Sequence, residues 1–164
     1  MSAIGAILNQ WKSPEGTYSR PHDPFGLGDC YMHDDGSWWV YCQAATALSG
    51  DGFAVAIDNA YLATELTETV AAAAFGDRVG ISHSDQAVTV GERGWVQVYG
   101  ASSVQVAENA AAHAQLRATA TTGVLDDAAS GTAVNGLVLG TAQDGTAGLN
   151  DSGFLNWPEL GATA

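Results

Sequence analysis

The sequence predicts an all-β protein: a single-domain antiparallel sandwich or barrel with Gly-rich turns, an extended N-terminal arm over residues 1–28, a β domain over 29–164 and at most one short helix. Three observations predict it. Apolar residues alternate with polar or aromatic ones in short runs. Turn signals recur every 8 to 12 residues, and nearly every turn carries one of the 20 glycines. That punctuation belongs to sandwiches and barrels rather than to helical or α/β chains.

The arm comes first. Residues 13–28, SPEGTYSRPHDPFGLG, hold three of the four prolines and three glycines. Proline removes a backbone donor and fixes φ, so this segment is neither helix nor central strand. It is either an extended arm or a plain surface loop.

In DCYMHDDGSWWVYCQA, Asp34-Asp35-Gly36 reads as a three-residue hairpin turn with glycine at the left-handed position. Pairing His33 with Ser37 sets Met32 opposite Trp38 and Cys30 opposite Val40. Met32, Trp38, Cys30, Val40 and Cys42 then share one face, and Tyr31, Trp39 and Tyr41 the other. Cys42 lies diagonal to Cys30, about 7 Å or more away, too far to bridge without distortion. A slip of one residue on each strand would oppose the two, so a disulfide stays an alternative.

GDGFAVAID predicts a turn and a strand with Phe53, Val55 and Ile57 on one face. TELTETVAAAAFG carries a helix signal, with Thr64 as cap, acids in the first turn and Gly76 as stop. RVGIS and AVTVG read as two short strands. Val-Gln-Val occurs at 96–98 and again at 104–106, separated by Tyr99 and a Gly-Ala-Ser-Ser turn. The repeat predicts a hairpin with its valines facing the core. ENAAAHAQLRATAT has helical propensity in its alanines, yet LRATATTGVL alternates, and a strand is predicted only near 116–121. AVNGLVLGTA gives another strand with Leu137 and Leu139 on one face, and the Gly-rich tail closes on Trp157-Pro158.

Charge and length bound the function. The chain has 164 residues, with 5 Lys and Arg against 18 Asp and Glu, a formal net charge of −13, and 46% hydrophobic residues. A chain of this length buries roughly 70% of its unfolded surface, enough for one core. Wrapping nucleic acid needs dense cationic charge, and an anionic membrane surface would repel this chain, so neither is an expected partner. No run approaches the roughly 18 apolar residues that span a bilayer. The start, MSAIGAILNQWK, has no basic residue before its apolar run and no clean cleavage signal, so a protein made in the cytosol with reduced cysteines is expected.

Catalytic and metal motifs are weak. G-x-S-x-G, H-E-x-x-H and a phosphate loop do not occur. Ser82-His83-Ser84-Asp85 sets triad residue types in a row, but neighbours on a strand point to opposite faces, and a triad assembles from distant segments. Cys30, His33 and Cys42 are three soft ligands without an evident fourth, and on a hairpin Cys30 and His33 face opposite sides. Asp34-Asp35 and Asp126-Asp127 lack the alternate spacing of a calcium loop. The expectation is a non-enzyme without metal or cofactor. The binding surface is read instead from uncharged aromatics. Trp95 and Tyr99 flanking Gln97 form a polar-aromatic patch, Trp39 and Tyr41 on the first hairpin are further interface candidates, and Trp11 and Phe25 are anchors on the arm. Either this face meets a partner or another part of the same chain covers it.

The ordered set PFGLGD (24–29), W-V-Y-x-Q-A (39–44), AVAID (54–58), DRVGIS (77–82), GWVQVYG (94–100), ATATTGVLDD (118–127), VNGLVL (134–139) and NWP (156–158) resembles small virion structural proteins of tailed, often marine, bacteriophages, of the capsid decoration or cement kind. The match runs over residues 24–158. It implies a β-rich, often homotrimeric subunit that binds the outside of an assembled head, with the major capsid protein lattice and other copies of itself as partners. Made in the host cytoplasm, such a subunit ends on the capsid exterior. No catalytic residue follows from the resemblance. The alternative is a receptor- or glycan-binding module of a phage fibre or a secreted protein, with Trp39, Tyr41, Trp95 and Tyr99 stacking on sugars.

Overall fold

The computed structural model describes residues 25–74, 76–128, 130–143 and 149–163, of which 49% are strand and 5% helix. The all-β expectation holds. The described residues form ten strands and one helix, in order β1 (Cys30–Met32), β2 (Trp38–Ala44), β3 (Phe53–Ile57), β4 (Leu62–Glu65), α1 (Glu68–Ala73), β5 (Arg78–Ser82), β6 (Arg93–Val106), β7 (Arg117–Ala118), β8 (Leu125–Asp126), β9 (Thr132–Leu139) and β10 (Leu149–Thr163). Residues 1–24, most of the predicted arm and the anchor Trp11 among them, lie outside the described residues.

All ten of these strands belong to one sheet, and its pairings close two large circuits, joined also by a single β5–β10 pairing at Arg78 and Glu159. The first runs β2–β4–β3–β5–β6 and back to β2. The second runs β6–β8–β7–β9–β10 and back to β6. The architecture is therefore closer to two fused small barrels than to two stacked sheets. It is mixed rather than wholly antiparallel, because β2–β4 and β6–β8 pair in parallel. Closure satisfies strand edges that an open sheet would leave bare.

Each circuit has its own core. Val40, Cys42, Val55, Ile57, Ala63, Val96 and Val98 pack together in the first, with Leu48 and Val88. Gly80 of β5 faces this core: a Cβ there would sit 2.3 Å from a methyl of Val96. The alternate residues of β3 and β5, namely Ala54, Ala56, Val79 and Ile81, join the second core with Val104, Val106, Leu125, Leu137, Leu139 and Leu155. Strands buried on both faces lose the simple alternation of half-exposed ones.

The first hairpin forms in the predicted register, with Cys30 opposite Val40 and Met32 opposite Trp38. Its backbone closes by a bond from His33 N to Ser37 O, 2.8 Å. Both cysteines are free thiols. Elsewhere tertiary pairing overrides local signals. The predicted Val-Gln-Val hairpin is instead the single strand β6, because its halves find different partners: residues 93–99 pair with β2, and 99–106 with β10. A bend at Gly100 (φ +101°) replaces the turn. The helix starts three residues late, capped by Thr67 rather than Thr64, because Thr64 is taken into β4 opposite Ala56. AVTVG contributes only one bridge, Val88 to Leu48. Residues 149–163 of the tail, read only as Gly-punctuated, are the long strand β10.

Candidate functional site

Most of the candidate aromatic residues are covered by the same chain. Trp39, Tyr41 and Trp95 are buried together, with Phe25, Leu27 and Tyr31 packed over them. The Phe25 ring centroid lies 5.0 Å from that of Trp95 and 5.4 Å from that of Tyr41. Gly28 N donates to Tyr41 O and Tyr41 N donates to Asp29 O, both at 2.9 Å, so the end of the arm is stitched along β2. Trp39 Nε1 donates to Ser37 Oγ at 2.8 Å. Four of the seven interface candidates, Trp39, Tyr41, Trp95 and Gln97, are therefore interior residues of the monomer, and Phe25 is half-buried as their lid.

Gln97 has a structural task. Its Nε2 donates to Tyr99 O at 3.1 Å and to Ala101 O at 2.8 Å, bracing the backbone across the Gly100 bend. A Cβ on Gly100 would lie 3.1 Å from Ser37 Cα, so the bend brings β6 hard against the end of the first hairpin.

A second aromatic set remains at the surface. Trp157 is 44% exposed, Phe154 43%, Val138 40% and Met32 56%. Half-buried Trp38 and Tyr99 link them. Ring centroids are 5.8 Å apart for Trp38–Trp157, 6.3 Å for Tyr99–Trp157 and 5.5 Å for Tyr99–Phe154. Met32 pairs across from Trp38, Trp38 from Tyr99, and Phe154 from Val138. The result is an apolar row crossing β1, β2, β6, β10 and β9. Only Tyr99 of the predicted set belongs to it.

A bulge presents the centre of this row. Between the pairs Leu155–Leu137 and Glu159–Asn135, β10 has residues 156–158 where β9 has Gly136 alone. Trp157 takes a left-handed φ of +48°, rare for a bulky residue and rarer before a proline. Bulges re-aim side chains. This one lays the indole over Trp38 and Tyr99. Beneath it lies a cavity of about 240 Å³ lined by Arg78, Val79, Val98, Trp157, Pro158 and Glu159. The Trp-Pro pair was visible in the sequence; its backbone conformation depends on Gly136, some twenty residues away.

The Ser82-to-Asp85 row does not act as a unit. Ser82 is buried, and Ser84 Oγ donates to Gln86 O. His83 instead meets residues from two other segments: its Nδ1 lies 2.7 Å from Asp51 Oδ1 and its Nε2 2.8 Å from Ser102 Oγ. The acid pairs serve turns. Asp35 Oδ1 accepts from Ser37 N and Oγ, which holds its carboxyl below the usual range, and Asp127 Oδ2 accepts from Ala111 N. Among the described residues, no group of three or more His, Cys, Asp or Glu is arranged to hold a metal ion, and no helix is long and apolar enough to cross a membrane. No protein-family model matches the chain, and no curated protein matches it.

Proposed function

We propose that this chain is a virion structural subunit, a decoration or cement protein attached to the exterior of a phage head. The apolar row from Met32 through Trp38, Tyr99, Trp157 and Phe154 to Val138 carries the reading. Exposed aromatic clusters of this composition mark protein interfaces. Two fused closed circuits give them a rigid base, so little entropy is lost when they dock. The net charge of −13 suits an outer surface, since a lining protein would face packaged DNA of the same sign. The partner is an assembled capsid protein lattice offering a neutral, apolar groove. In a homotrimer, three linked contacts would raise avidity by about 10² to 10⁴ over one.

The test is co-sedimentation with emptied capsids and with unassembled capsid protein, at low and high salt. Binding to the lattice alone, persisting in high salt and abolished by Trp157→Ala, is the expected outcome. Equal binding to both forms, or loss in salt, would contradict it. Removing residues 1–23 separately tests whether the arm contributes.

A second reading rests on the cavity under Trp157. An exposed indole beside Arg78 and Glu159 is a stacking platform with polar groups at its rim, which suits a sugar ring. Quenching of tryptophan fluorescence by a soluble glycan, lost in Trp157→Ala, would favour a glycan-binding module over capsid attachment.

A further inference from the structure

We propose that Ser102, His83 and Asp51 form a nucleophilic relay able to cleave carboxylic esters, a capacity separate from the attachment proposed above. The three residues come from different parts of the chain. Asp51 sits in the turn before β3, His83 directly after β5, and Ser102 in β6 beyond the Gly100 bend. The fold brings them into one line. Asp51 Oδ1 lies 2.7 Å from His83 Nδ1, and His83 Nε2 lies 2.8 Å from Ser102 Oγ. Both distances fall in the range that lets a base activate a hydroxyl while a third group orients the base.

The proton positions follow from the partners. A carboxylate only accepts, so neutral His83 must carry its proton on Nδ1 to bond Asp51. That leaves Nε2 as a lone pair facing Ser102, and the Ser102 hydroxyl donates to it. When the imidazole is protonated, Nε2 becomes a donor, and the Ser102 hydroxyl turns to Ser103 O, 3.2 Å away. The hydroxyl therefore has a resting place in both states of the base. Trp39 packs against the imidazole at 5.4 Å between centroids, and Trp39 is itself held by Ser37. The base is thus fixed from two sides. The His83 side chain is 14% exposed and that of Asp51 47%, so the relay opens to solvent rather than lying sealed in the core.

The chemistry balances without a cofactor. Ser102 Oγ attacks the ester carbonyl carbon while its proton passes to His83 Nε2. The tetrahedral oxyanion collapses, the C–O bond to the leaving group breaks, and the departing alkoxide takes the proton from Nε2. Water then attacks the acyl-Ser102 ester through the same base, releasing a carboxylic acid and restoring the hydroxyl. General-base assistance of this kind gives a factor of about 10² to 10⁴. An increment of that size suits esters with good leaving groups, so aryl esters of carboxylic acids, whose leaving group is a phenolate, are the substrate class.

The experiment treats the full chain with a fluorophosphonate probe and locates the adduct by peptide mass spectrometry, with p-nitrophenyl acetate hydrolysis as second readout. The adduct is expected on Ser102 of the folded protein, and to vanish in Ser102→Ala and when the wild type is unfolded in urea. His83→Asn should slow labelling and hydrolysis by about 10² or more. Asp51→Asn should slow both, with Asp51→Glu restoring part of the rate, as expected of a positioning residue. An unlabelled Ser102 in the folded wild type, or equal labelling in urea, would overturn the proposal whatever the variants do. Labelling that a folded His83→Asn chain retains in full would also overturn it.

Discussion

The carbonyl oxygen of Asn156 occupies the space beside Gly136: a Cβ on that glycine would stand 2.7 Å from it, at a backbone φ of +79°. Real Cβ atoms do not come so close to backbone oxygen. Glycine at 136 is thus what lets β10 bulge over β9 and lift Trp157 to the surface. Gly136→Ala combines a clash with a left-handed L-residue, and should cost about 1–3 kcal/mol. Urea denaturation measures this loss. A change below about 0.5 kcal/mol, the scatter of neutral surface substitutions, would show that the bulge relaxes freely.

Trp157 has the opposite sign. Its φ of +48° costs about 1–2 kcal/mol in an L-residue, and its ring is 44% exposed. Trp157→Gly relieves that strain while giving up the contacts to Trp38 and Tyr99. The two effects offset, so the thermal midpoint should stay within a few degrees of wild type while capsid co-sedimentation is lost. Such an outcome would support the attachment role proposed for Trp157, since strain held without benefit to stability clusters at functional sites.

Trp95→Asp should unfold the chain. The ring is 2% exposed under Phe25 and Tyr31 and packs on Tyr41. Removing it costs about 3–5 kcal/mol before the penalty for burying a carboxylate is added. Trp157→Asp, by contrast, should remain folded. Circular dichroism of the two variants separates them, and a folded Trp95→Asp would mean that the cover over β2 opens at little cost.

Thiol chemistry should distinguish the two cysteines. Burial pushes the Cys42 thiol up to about 12, whereas Cys30 is exposed on β1. The thiolate is the reactive form. One equivalent of a maleimide should therefore react in the native state and two in denaturant, with Cys30 the native adduct by mass spectrometry. Two rapid equivalents in the native protein would contradict the first core.

Acidification should stabilise the fold before it harms it. Burial raises the carboxyls of Glu65, Asp77 and Asp126 above their ordinary values, while hydrogen bonds from Ser37 lower that of Asp35. An acid with a raised folded pKa binds more protons folded than unfolded within that window. Stability then falls as pH rises through the window and returns as pH falls. Asp35 acts the other way, losing its contribution only as pH drops below its ordinary value of 3.8. The urea midpoint should accordingly be higher at about pH 5 than at about pH 8. Glu65, which accepts from Ser49 N and Oγ, supplies part of that slope, so Glu65→Gln should flatten it. A steeper slope in the variant would reverse the assignment.

What the sequence determined by itself was local. Asp34-Asp35-Gly36 set the first hairpin and its register, because a tight turn with glycine at the left-handed position leaves its strands one way to align. The alternations at Phe53–Ile57, Arg78–Ser82 and Thr132–Leu139 named strands, and the glycine punctuation named the all-β class. Tertiary structure decided the rest, wherever a segment's partner lay far along the chain. The second Val-Gln-Val pairs with residues 149–151 rather than with its own repeat, so a predicted hairpin became one bent strand. Residues 25–31 cover Trp95, so the aromatic face closed inward and the outward one passed to Trp38, Phe154 and Trp157. His83 met Asp51 and Ser102 rather than its neighbours. The physical reason is common to all three. Turn chemistry acts over a few bonds and is written in adjacent residues, whereas strand pairing between distant segments depends on which ladder buries more apolar surface, a competition that no single stretch of sequence encodes.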